Sequence, residues 1–144
     1  MTKSRPRVFF DASVLFCAFC SKTGGSAKTL RYVKSGKIKG FISQTVIEET
    51  EVNLKESYDR QLEISAIIAN SGFVVLEKIE TKYIAFYVGK IHKKDAHIIA
   101  GAMLTQCTHI LTLDKKHIDN DIIKKRFPKI IILSPKELIK FIEG

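Results

Sequence analysis

Apolar residues in this chain fall into five short bursts, separated by longer stretches with helical spacing. The bursts are RVFF at 7–10, GFIS at 40–43, FVVL at 73–76, HILTL at 109–113 and IIIL at 130–133. Runs of this length, rich in Val, Ile, Leu and Phe, predict strands buried within a sheet. After the polar loop SKTGGS, the pattern predicts a helix over AKTLRYVKSG, with Ser26 as N-cap and Gly36 as its stop. A long helix is predicted from about Thr45 towards Asn70, with Ile47, Leu54, Tyr58 and Leu62 on one stripe. TKYIAFYVGKIH, DAHIIAGAMLTQC and DNDIIKKRF read as further helices, and SPKELIKFIE as a last one, capped by Ser134 with Pro135 at its first position. Strands alternating with helices predict an α/β fold, a three-layer α/β/α domain with a central parallel sheet and right-handed crossovers. No repeat, linker or low-complexity tract interrupts the pattern, so residues 1–144 read as one domain.

One polar residue breaks the first burst. In VFFDASVLFCAF, Asp11 stands between two apolar runs. A buried, unpaired carboxylate costs several kcal/mol or takes up a proton, so Asp11 belongs at the strand's end, facing water, a positive partner or a metal. Asp114 likewise follows HILTL. In a parallel sheet both lie on the carboxyl edge, where ligands of such folds bind. Asp95 opens the helix DAHIIAGAM, and Glu48, Glu49 and Glu51 crowd the start of the helix after GFIS. Taken singly, Asp95 could cap its helix and Asp114 could shape a turn. Together, carboxylates gathered on one edge repel, and a hard oxygen-seeking cation such as Mg²⁺ or Mn²⁺ offsets that repulsion.

Charge adds a second indication. The formal net charge is +9, and six basic residues with no acid lie between Lys22 and Lys39. Clustered Lys and Arg favour a polyanion through counterion release. Lys28, Arg31 and Lys34 fall at i, i+3 and i+6 of the predicted first helix and form a candidate nucleic-acid-binding track along one flank of the acidic cleft; a merely solvated face is the alternative. Lys124, Lys125 and Arg126 form a second basic cluster. Three cysteines are an odd number, without a disulfide framework, and fit a reducing, cytoplasmic setting. Cys17 and Cys20 form a lone CxxC with no second ligand pair, so small buried hydrophobes are the expectation rather than zinc. The N-terminal apolar run is broken by Asp11 and reads as mature structure rather than a signal peptide. No stretch reaches the ~20 apolar residues of a membrane span. His97 and His117, close to Asp95 and Asp114, read as packing or surface residues.

The runs VFFDASVL, VIEETEVNL, KKDAHIIAGAM and HILTLD, in this order and spacing, resemble the PIN-domain family of metal-dependent ribonucleases. The loop SKTGGSAKTLRYVKSGKIKGFIS resembles the VapC-like branch, which includes many bacterial and archaeal toxins. The resemblance implies an acidic quartet of Asp11, Glu49, Asp95 and Asp114 holding Mg²⁺ or Mn²⁺, with Thr112 at a position usually held by a small hydroxyl residue. Ser13 falls where many members carry asparagine. It further implies cleavage of single-stranded RNA, a small antitoxin partner and a homodimer. Helical periodicity alone places Glu51 nearer the apolar stripe than Glu49, so Glu51 competes for the second acidic position.

Other α/β chemistries fit less well. A haloacid-dehalogenase phosphatase expects a second aspartate where Ser13 stands. A receiver domain expects paired acids near the first strand, and nucleotide binders expect GxGxxG or GxxxxGK[ST], which this chain lacks. The remaining alternative is a catalytically silent PIN-like module that binds RNA or protein. All four acidic positions being filled favours catalysis.

Overall fold

The structure, a computed structural model, describes residues 5–58, 64–88 and 93–144. In chain order the elements are β1 (Arg7–Phe10), α1 (Ala12–Cys20), α2 (Gly25–Ser35), β2 (Lys39–Ser43), α3 (Gln44–Tyr58), α4 (Ile64–Ala69), β3 (Val74–Leu76), α5 (Thr81–Val88), α6 (Lys93–Leu104), β4 (His109–Leu111), α7 (Asp121–Arg126), β5 (Ile131–Leu133) and α8 (Pro135–Glu143). The five strands form one parallel sheet in the order β3-β2-β1-β4-β5. β1 is central: Phe9 pairs with Phe41 on one side and Ile110 on the other, and Val8, Phe9 and Phe10 are fully buried.

From β1 the chain steps outward to β2 and β3, then returns past β1 to β4 and β5. Right-handed crossovers in opposite directions put their helices on opposite faces. Accordingly α5 packs on α6, and α6 lies against β1, β2 and β4; α1 packs on α2 and α3, and α2 on α8. The result is the expected three-layer α/β/α arrangement. The order reverses between β1 and β4, so a crevice opens outside their carboxyl ends. The layers meet closely: a Cβ added to Gly101 on α6 would collide with the Phe9 ring of β1.

Several elements differ from the sequence reading. Residues 12–20, read only as an apolar run, form α1. Asp11 turns the chain out of β1 and caps this helix, its side chain accepting from Ala12 N–H at 2.9 Å. α1 is covered by α2 and α3, and it is too apolar around its circumference to show helical periodicity. Gly24, not Ser26, is the N-cap of α2; Ser26 lies buried in the first turn, while Gly36 ends the helix in the left-handed region as expected. The single long helix from Thr45 towards Asn70 is instead α3 and α4. Ser65 Oγ donates to Glu51 Oε1 at 3.4 Å, whereas fourteen residues of continuous helix would separate them by about 21 Å. Thus α4 folds back on α3. Ile47 and Leu54 of the stripe are buried, while Leu62 lies outside the described residues. The helix predicted over TKYIAFYVGKIH is described as far as Val88, and 89–92 lie outside the described residues. Strand β4 stops at Leu111, so Asp114 follows three residues later, in a turn. Cys107 is buried, but Cys17 is half-buried and Cys20 exposed, because they sit at the carboxyl end of α1 rather than in the core. No helix among the described residues is long and apolar enough to cross a membrane.

Candidate metal centre

At the carboxyl edge of the sheet the ends of β1 and β4 are tied together by side chains. Asp11 N–H donates to Leu111 O at 2.9 Å, extending the β1–β4 ladder by one residue. Asp11 Oδ2 accepts from Ser13 Oγ at 2.7 Å and from Thr112 Oγ1 at 2.8 Å. Each hydroxyl is held in turn by the β4 turn: Thr112 Oγ1 accepts from Asp114 N–H at 3.0 Å and Ser13 Oγ from Leu113 N–H at 3.1 Å. Asp114 Oδ1 accepts from the N–H groups of Lys116 and His117 at 3.0 and 2.9 Å, so this carboxylate does shape its turn. Its Oδ2 lies 3.3 Å from His117 Nδ1.

The other acids arrive on helices. Ser43 Oγ accepts from Val46 N–H at 3.3 Å and caps the start of α3, which carries Glu48 and Glu49. Asp95 lies in the first turn of α6. An open cavity of about 420 Å³ is lined by Asp11, Glu48, Glu49, Asp95 and Asp114, with Ser13 and Asn53 among their neighbours; among the described side chains no lysine or arginine is in its wall. Asp11 is 7% and Asp95 3% exposed. Burial pushes the Asp11 carboxyl above its ordinary value and the nearby Glu49 charge adds to this, while the Ser13, Thr112 and Ala12 donors oppose it. Ligand atoms of Asp95, Asp114 and His117 lie within 4.8 Å of one another. A buried carboxylate held by the neutral donors Ser13, Thr112 and Ala12, beside further carboxylates, is a donor set that fits a hard divalent cation.

A family model described as PIN domain matches residues 7–116. The chain belongs to the PIN domain family. No curated protein matches it. Among solved structures, VapBC2 from Rickettsia felis bound to a DNA fragment from its promoter is similar, with 16% identity, TM-score 0.62, and 89% of this chain and 98% of that chain covered. A toxin–antitoxin complex from Klebsiella pneumoniae is similar at 20% identity and TM-score 0.59, covering 89% and 97%. DNA-bound VapBC from Salmonella typhimurium is similar at 14% identity and TM-score 0.62, covering 90% and 98%. These likenesses show the fold.

On this PIN domain, Asp11, Glu49, Asp95 and Asp114 line one cavity, and Ser13 and Thr112 both donate to Asp11. Glu51 is exposed, bonds to Ser65, and is absent from the wall; α3 turns its Glu49 side towards the cavity, and the apolar stripe used to favour Glu51 faces elsewhere. The three basic residues of α2 lie outside the cavity wall. Lys28 Nζ pairs with Glu143 Oε1 at 2.7 Å, Arg31 Nη1 donates to Lys22 O at 3.1 Å, and none of Lys28, Arg31 and Lys34 is in the wall. α2 packs on α1 and α8. Three residues close to the acids escaped the sequence reading of the quartet. Glu48 lines the cavity, with Lys78 Nζ 4.0 Å from its Oε2. His117 joins Asp95 and Asp114, and its spacing three residues after an aspartate in a turn was the available signal. His97 is buried, with Nε2 2.8 Å from Glu49 Oε1. Nothing in DAHIIAGAM marks that partner, which lies in another helix.

Proposed function

We propose that this PIN domain is a Mg²⁺- or Mn²⁺-dependent endoribonuclease that hydrolyses phosphodiester bonds of single-stranded RNA. The observation that carries the reading is the convergence of Asp11, Glu49, Asp95 and Asp114 on one cavity. These four carboxylates would hold the ion, which when bound supplies Lewis acidity at the scissile phosphate. The protein's own contribution is placement. Ser13 and Thr112 fix the Asp11 carboxylate, and the turn N–H groups fix Asp114. The open cavity admits an extended strand rather than a small molecule enclosed on all sides.

RNA binding is assigned to lysine and arginine outside the wall, in keeping with the +9 net charge. The α2 track of Lys28, Arg31 and Lys34 remains a candidate, reached by RNA that runs beyond the cavity. One of the similar structures is a toxin–antitoxin complex, and the other two are VapBC proteins bound to DNA. By that likeness we assign this chain the toxin role in a toxin–antitoxin pair, cytoplasmic, homodimeric and inhibited by a small antitoxin. Incubating the purified protein with labelled single-stranded RNA tests the central part. Cleavage in Mn²⁺ that stops in EDTA supports it; a silent binding module would retain the RNA intact under both conditions.

A further inference from the structure

We infer that His97 is a positioning residue that holds the Glu49 carboxylate over the cavity; this rests on the metal-dependent reading above. His97 sits on α6 and is 5% exposed. Its Nε2 lies 2.8 Å from Glu49 Oε1 on α3, a close contact that is not aligned as a hydrogen bond. Among the described residues its Nδ1 has no hydrogen-bond partner. The two residues belong to different helices, and their contact links α3 to α6 at the carboxyl edge of the sheet.

The physical asymmetry between the partners gives the direction of the effect. Glu49 stands at the cavity with a 40% exposed side chain on three rotatable bonds. Free, it would sample many rotamers, and ordering such a long side chain costs conformational entropy. His97 is locked by burial and already pays for an unpaired Nδ1, a cost that an apolar residue of similar volume would avoid. The imidazole acts through its contact with Glu49, restraining that carboxylate before any ion arrives. Outer partners of this kind change metal affinity by about 10–100-fold when removed.

Mn²⁺ titration calorimetry of the intact chain, with no RNA present, tests this with two substitutions of contrasting chemistry. His97→Leu fills the space without a donor, and His97→Gln retains one. The Leu variant should bind Mn²⁺ about tenfold more weakly or worse, with an apo melting temperature at or above wild type. The Gln variant should stay near wild type. In a Glu49→Gln background, His97→Leu should weaken binding no further. Equal affinities for the wild type and the Leu variant, or equal losses for Leu and Gln, overturn the assignment. Wild-type protein that binds no Mn²⁺ overturns the metal-dependent reading itself, and His97's role with it. A readout without change at His97 complements these: in ¹⁵N-histidine-labelled protein, Glu49→Gln should shift one ring nitrogen of His97, and an unshifted resonance contradicts the contact.

Discussion

Thr112 Oγ1 lies 2.8 Å from Asp11 Oδ2, although 101 residues separate them in sequence. The same hydroxyl accepts from Asp114 N–H at 3.0 Å, so one side chain fixes two of the four candidate ligands. Thr112→Val keeps the volume and removes both bonds. It should cost about 1.5–3 kcal/mol, the range for hydrogen bonds to charged groups, read by urea denaturation. Thr112→Ser should restore most of the loss.

Glu49 and Glu51 are separated by the cavity wall. Glu49→Gln should abolish most RNA cleavage, while Glu51→Gln, with its exposed side chain bonded to Ser65, should leave the rate near wild type. Initial rates at saturating Mn²⁺ decide between them, and the reverse order would restore the periodicity argument for Glu51.

Much of this arrangement was legible in the sequence. The strands RVFF and GFIS, the Gly36 stop, and the Ser134 cap were readable because local chemistry and tertiary packing agree there. Asp11 and Asp114 could be placed on one edge because parallel strands put all their carboxyl ends together. What escaped were features set by packing: α1, whose apolar circumference hides its period, and the reversal between α3 and α4. The partners of His97 and Lys28 escaped too, because each lies on a distant element with no sequence spacing to reveal it.

Close packing of α6 on β1 gives a stability prediction. Gly101→Ala drives a methyl into the fully buried Phe9 ring. Overpacking of this kind costs about 1–3 kcal/mol, and differential scanning calorimetry should show a lower melting temperature. An unchanged value would mean that Phe9 can move aside.

The last helix offers a pH test far from the cavity. Glu137 accepts from Ser134 N–H at 3.1 Å in a capping box, and this bond, followed by the Ser134 hydroxyl, holds its carboxyl below the ordinary 4.5. The folded state therefore binds this proton more weakly than the unfolded chain. The stabilisation is complete above the ordinary value and is lost as pH falls through the lowered one. Glu137→Gln should be less stable at neutral pH by about 0.3–1 kcal/mol, and the gap should close in acid. Denaturant midpoints measured from pH 7 to pH 3 follow it.

If α2 carries RNA, replacing Lys28, Arg31 and Lys34 by glutamine should flatten the slope of log K against log salt by about 2, at roughly 0.7 per single-strand phosphate contact. Binding titrations in Ca²⁺ limit cleavage. An unchanged slope moves the RNA path to Lys124, Lys125 and Arg126.

The central claim, that the four carboxylates form a metal-dependent ribonuclease site, is tested most directly by single-turnover cleavage of one labelled single-stranded RNA in Mn²⁺. Wild-type protein is compared with Asp11→Asn, Asp95→Asn and Asp114→Asn. The account predicts cleavage by wild type alone, abolished by EDTA, with each variant folded. Cleavage at the wild-type rate by two of the three variants would contradict it.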